Sequence, residues 1–323
     1  MKFVEVGGVR LSAIGLGTWQ FGSREWGYGD AYAEGTAVDI TQRALDLGIN
    51  LIDTAEIYAF GRSERIVGKA IAERRADAFL ATKVFPVLPL SSIVQQRGVA
   101  SADRLGVDRI DLYQVHWPNP VVPMAQPMAG MQRLQRTGLV QNVGVSNFSL
   151  TKWQEAEAAL GGRVLSNQVQ YSLVTRKPDR ELVPWAQQND RLVIAYSPLA
   201  QGFLSARYDG TNTPGGVRSS NSLFLPENIE RAQPLLTALK EIAVSHSATP
   251  AQVALAWVIR RPNVVAIPGA SSVSQLEANA AAADLELTDD DDHRLTAASD
   301  RFEPIRGGGA IARMIKARLP GFQ

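Results

Sequence analysis

An α/β fold, a (β/α)8 TIM barrel, is predicted by three features of the sequence. Eight short apolar, β-branched runs recur along 323 residues, most beginning about 25 to 35 residues after the one before, the length of a βα unit. The intervals between them carry helical spacing and helix caps. The runs are close to continuous in apolar residues, as in a parallel sheet covered by helices. Eight such units close most simply into a barrel, with an open doubly wound sheet as the competing arrangement.

The strand candidates in order are SAIGLGTW (12–19), NLIDTA (50–55), FLATKV (79–84), RIDLYQVHW (109–117), NVGVSNF (142–148), SNQVQYS (166–172), RLVIAYSPL (191–199) and NVVAIPGA (263–270). Between the first two, TAVDITQRALDLG has apolar residues at helical spacing and a stop at Gly48. Before the eighth, TPAQVALAWVI offers Thr249 as N-cap, Pro250 at the first helical position and Gln252 where a capping box needs it. After it, SVSQLEANAAAA is again helical. Three segments break the rhythm. Residues 117–130 are too proline-rich to continue a strand or a helix, and 200–228 are rich in Gly, Ser, Asn and Pro. Loops of that length are usually lids or binding loops. The tail, 301–323, ends in a basic helical pattern with Ile311, Met314, Ile315 and Leu319 on one face. In a barrel, the long loops after strands 4 and 7 and this C-terminal tail all rim the C-terminal mouth. One barrel domain over residues 1–323 is expected.

Composition narrows the function. The chain is 45% hydrophobic with a formal net charge of +1, ordinary globular values with no electrostatic footprint for nucleic acid or an acidic membrane surface. No cysteine is present, which excludes disulfides, thiolate nucleophiles and cysteine-ligated metals. The N-terminus lacks the apolar run of a signal peptide, and no stretch approaches the ~20 apolar residues of a membrane span. A cytoplasmic protein is expected, its oligomeric state left open.

Chemistry-bearing residues fall at consecutive strand ends: Asp53 with Tyr58 just beyond it, Lys83 closing FLATK, and His116 closing DLYQVH. Each alone has an ordinary explanation as a loop cap, a solvated charge or a packing residue. Strand C-termini of a barrel converge on one pocket, however, and together these four form a chemically coherent set. A phenol with pKa about 10 is a poor proton donor near neutrality. A lysine ammonium within ~4–6 Å favours the phenolate, lowering that pKa by roughly 1–3. A carboxylate beyond the lysine keeps the ammonium charged. A neutral histidine can donate a hydrogen bond to a carbonyl oxygen. The set can protonate a forming alkoxide but holds no evident nucleophile, and Asp53 with His116 is too small a ligand set for zinc, so no metal is expected. The electrons have to come from elsewhere.

Three ordered motifs resemble the aldo-keto reductase family: GINLIDTAEIYAFGRSERIVGKAI, VGVSNF and IPGASSVSQLEANA. The resemblance covers nearly the whole chain. It implies an (α/β)8 barrel and hydride transfer from NADPH to an aldehyde or ketone. On these motifs Tyr58 resembles the general acid, Lys83 the residue that tunes it, Asp53 the lysine's partner, and His116 the residue that orients the carbonyl. Ser146, Asn147 and Gln168 resemble the groups that hold the nicotinamide carboxamide, and Tyr196 the ring stacked on the nicotinamide. Ser197, Pro198, Leu199, Gln201 and Gly202 resemble a pyrophosphate strap. Arg207 and Arg218 resemble cationic clamps on the phosphates, or are solvated loop charges. Ile267, Gly269, Ser271, Gln275 and Asn279 belong to the third motif. Many relatives carry a lysine directly after the IP of that motif and an arginine seven residues after its proline; here the positions are Gly269 and Gln275. The pattern resembles the branch that includes potassium-channel β-subunits, which also uses NADPH. NADPH is therefore expected, with NADH left open. No GxGxxG is present, since Trp19 and Gln20 follow Gly15 and Gly17. The substrate side is expected to be lined by Trp19, Phe21, Trp26, Tyr28, Phe85 and Trp117, which suits apolar or aromatic carbonyls, with small dicarbonyls also open. Two other readings stand beside a reductase. One is a cofactor-sensing interaction protein; the other is a barrel lyase or isomerase using Lys83 as a Schiff-base amine, against which Asp53 should keep that amine protonated.

Overall fold

The computed structural model describes residues 1–23, 32–208, 212 and 214–307. The chain begins with an antiparallel hairpin, β1 (Phe3–Val6) and β2 (Val9–Ser12), an element the sequence reading did not anticipate. Eight strands then lie parallel in sequential order: β3 (Leu16–Gly17), β4 (Leu51–Asp53), β5 (Phe79–Val84), β6 (Ile110–Val115), β7 (Val140–Ser146), β8 (Val164–Gln170), β9 (Leu192–Tyr196) and β10 (Val264–Ala266). Parallel bridges between Ile14 and Ala266 and between Gly17 and Gly269 join the first strand to the last, closing the barrel. Gly17 is needed there, because a Cβ on it would stand 2.6 Å from the Ile267 carbonyl oxygen. The hairpin caps the opposite end: the Gly7 amide donates to Asp190 Oδ1 (2.9 Å), just before β9.

The helices alternate with the strands as the spacing predicts. They are α1 (Ala37–Asp46), α2 (Arg62–Ile71), α3 (Ser91–Leu105), α4 (Ala125–Arg136), α5 (Leu150–Leu160), α6 (Leu182–Gln188), α7 (Pro226–Arg231), α8 (Gln233–Ser245), α9 (Pro250–Val258), α10 (Val273–Ala281) and α11 (Asp289–Asp300). Thr249 and Gln252 form the expected reciprocal capping box on α9, and Gly48, at φ 79°, follows the end of α1. The barrel strands bury most of their apolar side chains, and Leu51, Ile52, Leu80, Leu112, Val143, Val193 and Ile194 are buried completely. Fully burying a side chain of this kind contributes about 1.5–3 kcal/mol. No described helix is long and apolar enough to cross a membrane.

One expectation is revised. The proline-rich stretch 117–130 does enter a helix: α4 begins at Ala125, and Pro127 lies in its first turn. Amides there have no intrahelical acceptor, so a missing N–H loses nothing. The loop after β9 is built from short 3-10 turns, Ala200–Ser205, Gly216–Ser220 and Ser222–Phe224, followed by α7. The start of the tail packs on this loop. Phe302 is buried against Phe203, and Asn228 exchanges hydrogen bonds with the Ile305 backbone (2.7 and 3.1 Å). Ile311, Met314, Ile315 and Leu319 lie outside the described residues.

Candidate active site

Asp53 ends β4, Lys83 is the penultimate residue of β5, and His116 directly follows β6. The lysine is fully buried, and its ammonium is held on three sides. Nζ donates to Asp53 Oδ1 at 2.5 Å, to the Thr54 carbonyl at 2.8 Å and to Tyr58 Oη at 3.3 Å. Asp53 Oδ2 accepts from Gln168 Nε2 at 2.7 Å and from Gln114 Nε2 at 3.4 Å. Burial works against the Lys83 charge, but Asp53 and Tyr58 outweigh it, and the pKa stands above the ordinary lysine value. The cation therefore persists in a dry site.

Tyr58 departs from expectation in one respect. Burial raises its pKa, and this outweighs the lowering by Lys83, with Asp53 adding to the rise. The net direction is upward, so at neutral pH the group is a phenol beside a cation. His116 goes the other way. Burial first, and then the Lys83 charge, lower its pKa to about 2, so the imidazole is neutral. Its ring stacks on Trp117 (3.9 Å, 14° between planes) and meets the edges of Phe85 and Tyr58 at 6.2 and 5.9 Å. His116 Nδ1 is buried and has no hydrogen-bond partner among the described residues.

The backbone around Tyr58 is unusual. It opens a 3-10 turn, Tyr58–Gly61, in which Ala59 (φ 46°), Phe60 (φ 54°) and Gly61 (φ 81°) are all left-handed. The conformation is unfavourable by about 1–2 kcal/mol for each residue with a Cβ. The turn leaves Phe60 94% exposed at the mouth of the cleft.

A cleft of ≈ 840 Å³ runs from Tyr58 and His116 across the barrel mouth to α10. All sixteen residues that the sequence resemblance assigns to a cofactor line it. Asn147, at φ 62°, donates to the His116 carbonyl and to Ser146 Oγ (3.1 Å each) and accepts from Tyr196 Oη (2.9 Å). Ser146 Oγ donates in turn to the Gln168 carbonyl (2.9 Å). The strap after Tyr196 is threaded through left-handed positions at Ser197, Ala200, Gln201 and Gly202. Arg207 and Arg218 are the lysine or arginine side chains among the described lining residues, and Arg207 also donates to Tyr208 Oη (2.7 Å). At the far end, Gln275 Oε1 accepts from the Ser271 amide and hydroxyl (2.9 and 2.7 Å), and Asn279 donates to the Gly269 carbonyl (3.3 Å). Gln20 explains why position 269 is bare. It donates to the Ala270 carbonyl (2.9 Å), and a Cβ at Gly269 would stand 2.8 Å from its Oε1.

On the substrate side, Trp19, Phe85 and Trp117 line the cleft as expected, but Phe21 does not. The chain turns after Gln20, with the Phe21 amide on the Thr18 carbonyl (3.0 Å), and the ring is fully buried in the core with Leu16, Ile40 and Ile66. Trp26 and Tyr28 lie outside the described residues. Sequence reasoning missed Gln20, Phe60 and Gln114. For Gln114 a signal existed: it is an uncharged polar residue inside the apolar run DLYQV, in a strand whose every residue is buried.

Comparison with known proteins agrees with this geometry. The family model described as "Aldo/keto reductase family" matches residues 13–300. The uncharacterized oxidoreductase Rv2298 of Mycobacterium tuberculosis is 53% identical over 320 residues, covering 99% of each chain. The methylglyoxal reductase YeaE of Escherichia coli is 36% identical over 283 residues, 87% of this chain and 89% of that one. A solved aldo/keto reductase from Klebsiella pneumoniae, in complex with NADP and acetate, superposes with a TM-score of 0.76 at 30% identity, covering 95% and 97% of the two chains. The chain thus belongs to the aldo/keto reductase family of NAD(P)H-dependent oxidoreductases.

Proposed function

We propose that this barrel is an NADPH-dependent carbonyl reductase in which an aldehyde or ketone accepts hydride while Tyr58 acts as general acid. The hydrogen-bonded series Tyr58–Lys83–Asp53 beside a neutral His116, at the edge of a cleft of ≈ 840 Å³ that reaches α10, carries this reading. The donor set suits the cofactor. Ser146, Asn147 and Gln168 form a polar cluster for a carboxamide, with Gln168 Oε1 open to it while Nε2 stays on Asp53. The Tyr196 ring offers a stacking face, and Arg207 and Arg218 offer charge for phosphates. When bound, the reduced nicotinamide supplies the hydride.

The protein's own residues manage the proton. His116, neutral near pH 7, donates a hydrogen bond that orients the carbonyl oxygen. The Tyr58 hydroxyl passes its proton to that oxygen as negative charge develops on it. The phenolate left behind faces the Lys83 ammonium 3.3 Å away, and Asp53 keeps that ammonium charged. A high phenol pKa before reaction keeps the acid in its proton-bearing form. General acid catalysis of this kind contributes about 10²–10⁴-fold. The uncharged aromatic lining of Trp19, Phe85 and Trp117 favours apolar and aromatic carbonyls. The similarity to a methylglyoxal reductase supports keeping small dicarbonyls among the candidates.

The test is oxidation of NADPH and of NADH against a panel of aldehydes, ketones and dicarbonyls, for wild type and Tyr58→Phe. Reduction of panel members by wild type and its collapse in Tyr58→Phe, with cofactor binding intact, are expected. Near-wild-type turnover in Tyr58→Phe sinks the mechanism. Stoichiometric NADPH binding without turnover of any carbonyl assigns the chain instead to the cofactor-sensing role.

A further inference from the structure

We infer that Arg104 and Glu64 are positioning residues for Tyr58: they brace the left-handed turn on which its phenol stands and so set its reach to Lys83, a role that rests on Tyr58 being the acid. Left-handed non-glycine residues persist only where the surroundings over-determine them. Phe60 is 94% exposed, so its own packing does not hold the turn. Gly61 is where the turn meets the body of the barrel. A Cβ there would stand 2.6 Å from Cδ and 2.8 Å from Nε of Arg104, so the Arg104 stem lies directly against the bare Cα.

The arginine is itself fixed. Its Nε donates to Glu64 Oε2 at 2.5 Å and its Nη2 to Ser101 Oγ at 3.0 Å. Glu64, in the first turn of α2, is fully buried, and its other oxygen accepts from Thr82 Oγ1 at 2.6 Å. Thr82 immediately precedes Lys83. The neighbouring Ser63 hydroxyl bonds to those of Thr18 and Thr54, 2.9 Å each, and the Thr54 carbonyl accepts from Lys83 Nζ. The start of α2 is therefore bolted at Thr82 and Thr54 to the two strand ends that carry Lys83 and Asp53. Arg104 presses the turn against that anchor. Neither Glu64 nor Arg104 lines the cleft. A buried ion pair gives little stability beyond what apolar packing of the same volume would give, so what this one supplies is geometry.

The test uses the full-length protein. Glu64→Gln combined with Arg104→Met removes the ion pair without leaving a lone buried charge, and Gly61→Ala drives a Cβ into the Arg104 stem. Folding is read by circular dichroism, NADPH affinity by quenching of tryptophan fluorescence, and turnover with an aldehyde that wild type reduces. In each variant kcat is expected to fall about tenfold or more, with NADPH Kd and aldehyde KM within about threefold of wild type. The triple variant should lose no more than about threefold beyond the worse parent, because both changes act on one turn. A folded Glu64→Gln/Arg104→Met protein with kcat within about threefold of wild type overturns the assignment, as do losses that multiply in the triple variant. Should the double variant not fold, Gly61→Ala decides by the same threshold. Tyr58→Phe separates the two layers. Retained turnover there removes Tyr58 as acid, whereas lost turnover there with intact kcat in the bracing variants removes only Arg104 and Glu64.

Discussion

The two ends of the cleft are built on opposite principles. Lys83, Asp53 and His116 are buried and Tyr58 half-buried, and the one full cation is neutralised and held by three acceptors. At α10 the lining is uncharged and runs from exposed Gln275 to buried Asn279, and its polar groups, Ser271, Gln275 and Asn279, mostly bond to one another or to backbone. The chemical end tolerates little change because each charge depends on its neighbour in a dry medium. The α10 end is more open to solvent, where a change of side chain costs less.

Breaking the buried end should give the largest effect. Lys83→Met leaves Asp53 buried without its cation, so kcat should fall by about 10²–10⁴ and stability by about 3–5 kcal/mol. Lys83→Met with Asp53→Asn should recover the melting temperature but not the turnover, which thermal unfolding and steady-state kinetics on the same samples will check.

His116 gives the next effect, through pH. Folded, it has a pKa of about 2; unfolded, it titrates near 6.5. Below about 6.5 the unfolded chain binds a proton that the folded chain refuses. Stability from this group is thus complete above that pH and declines as pH falls, by about 1.4 kcal/mol per pH unit. Urea unfolding between pH 7 and 5 should show this loss in wild type and less of it in His116→Gln. A pH-independent midpoint in wild type would contradict a neutral, buried imidazole.

Smaller effects belong to the mouth and the far end. Phe60→Ala should raise KM for bulky apolar aldehydes by about tenfold or less and leave methylglyoxal nearly unaffected, since only larger substrates reach its exposed ring. Gln275→Arg should raise the NADPH-to-NADH preference by about threefold to fivefold, the scale of an exposed charge pair. No change in that ratio would place the burden of phosphate recognition on Arg207 and Arg218.

What was legible in the sequence follows the same division. Asp53, Lys83 and His116 could be placed because they close apolar runs, and parallel strands of a barrel point their C-terminal ends at one pocket. Thr249, Pro250 and Gln252 marked a helix start because capping is local chemistry. Phe21, expected at the mouth, lies in the core instead: whether a residue just past a strand lines the mouth or plugs the core depends on the turn at Thr18. Pro127 read as a helix breaker because its position within the helix was unknown. The lowering of the Tyr58 pKa by Lys83 could be read from spacing, whereas burial by the whole fold, which outweighs it, could not.

The sequence by itself determined the eight barrel strands in order, the residue types at their C-terminal ends and the family, because these rest on local periodicity and on ordered motifs. Only the tertiary structure decided which side chains share an oxygen atom, that Gln114 and Gln168 meet on Asp53, and that Arg104 lies against Gly61 beneath the Tyr58 turn. Those contacts join residues tens of positions apart. Their distances and dielectric surroundings exist only once the barrel has closed.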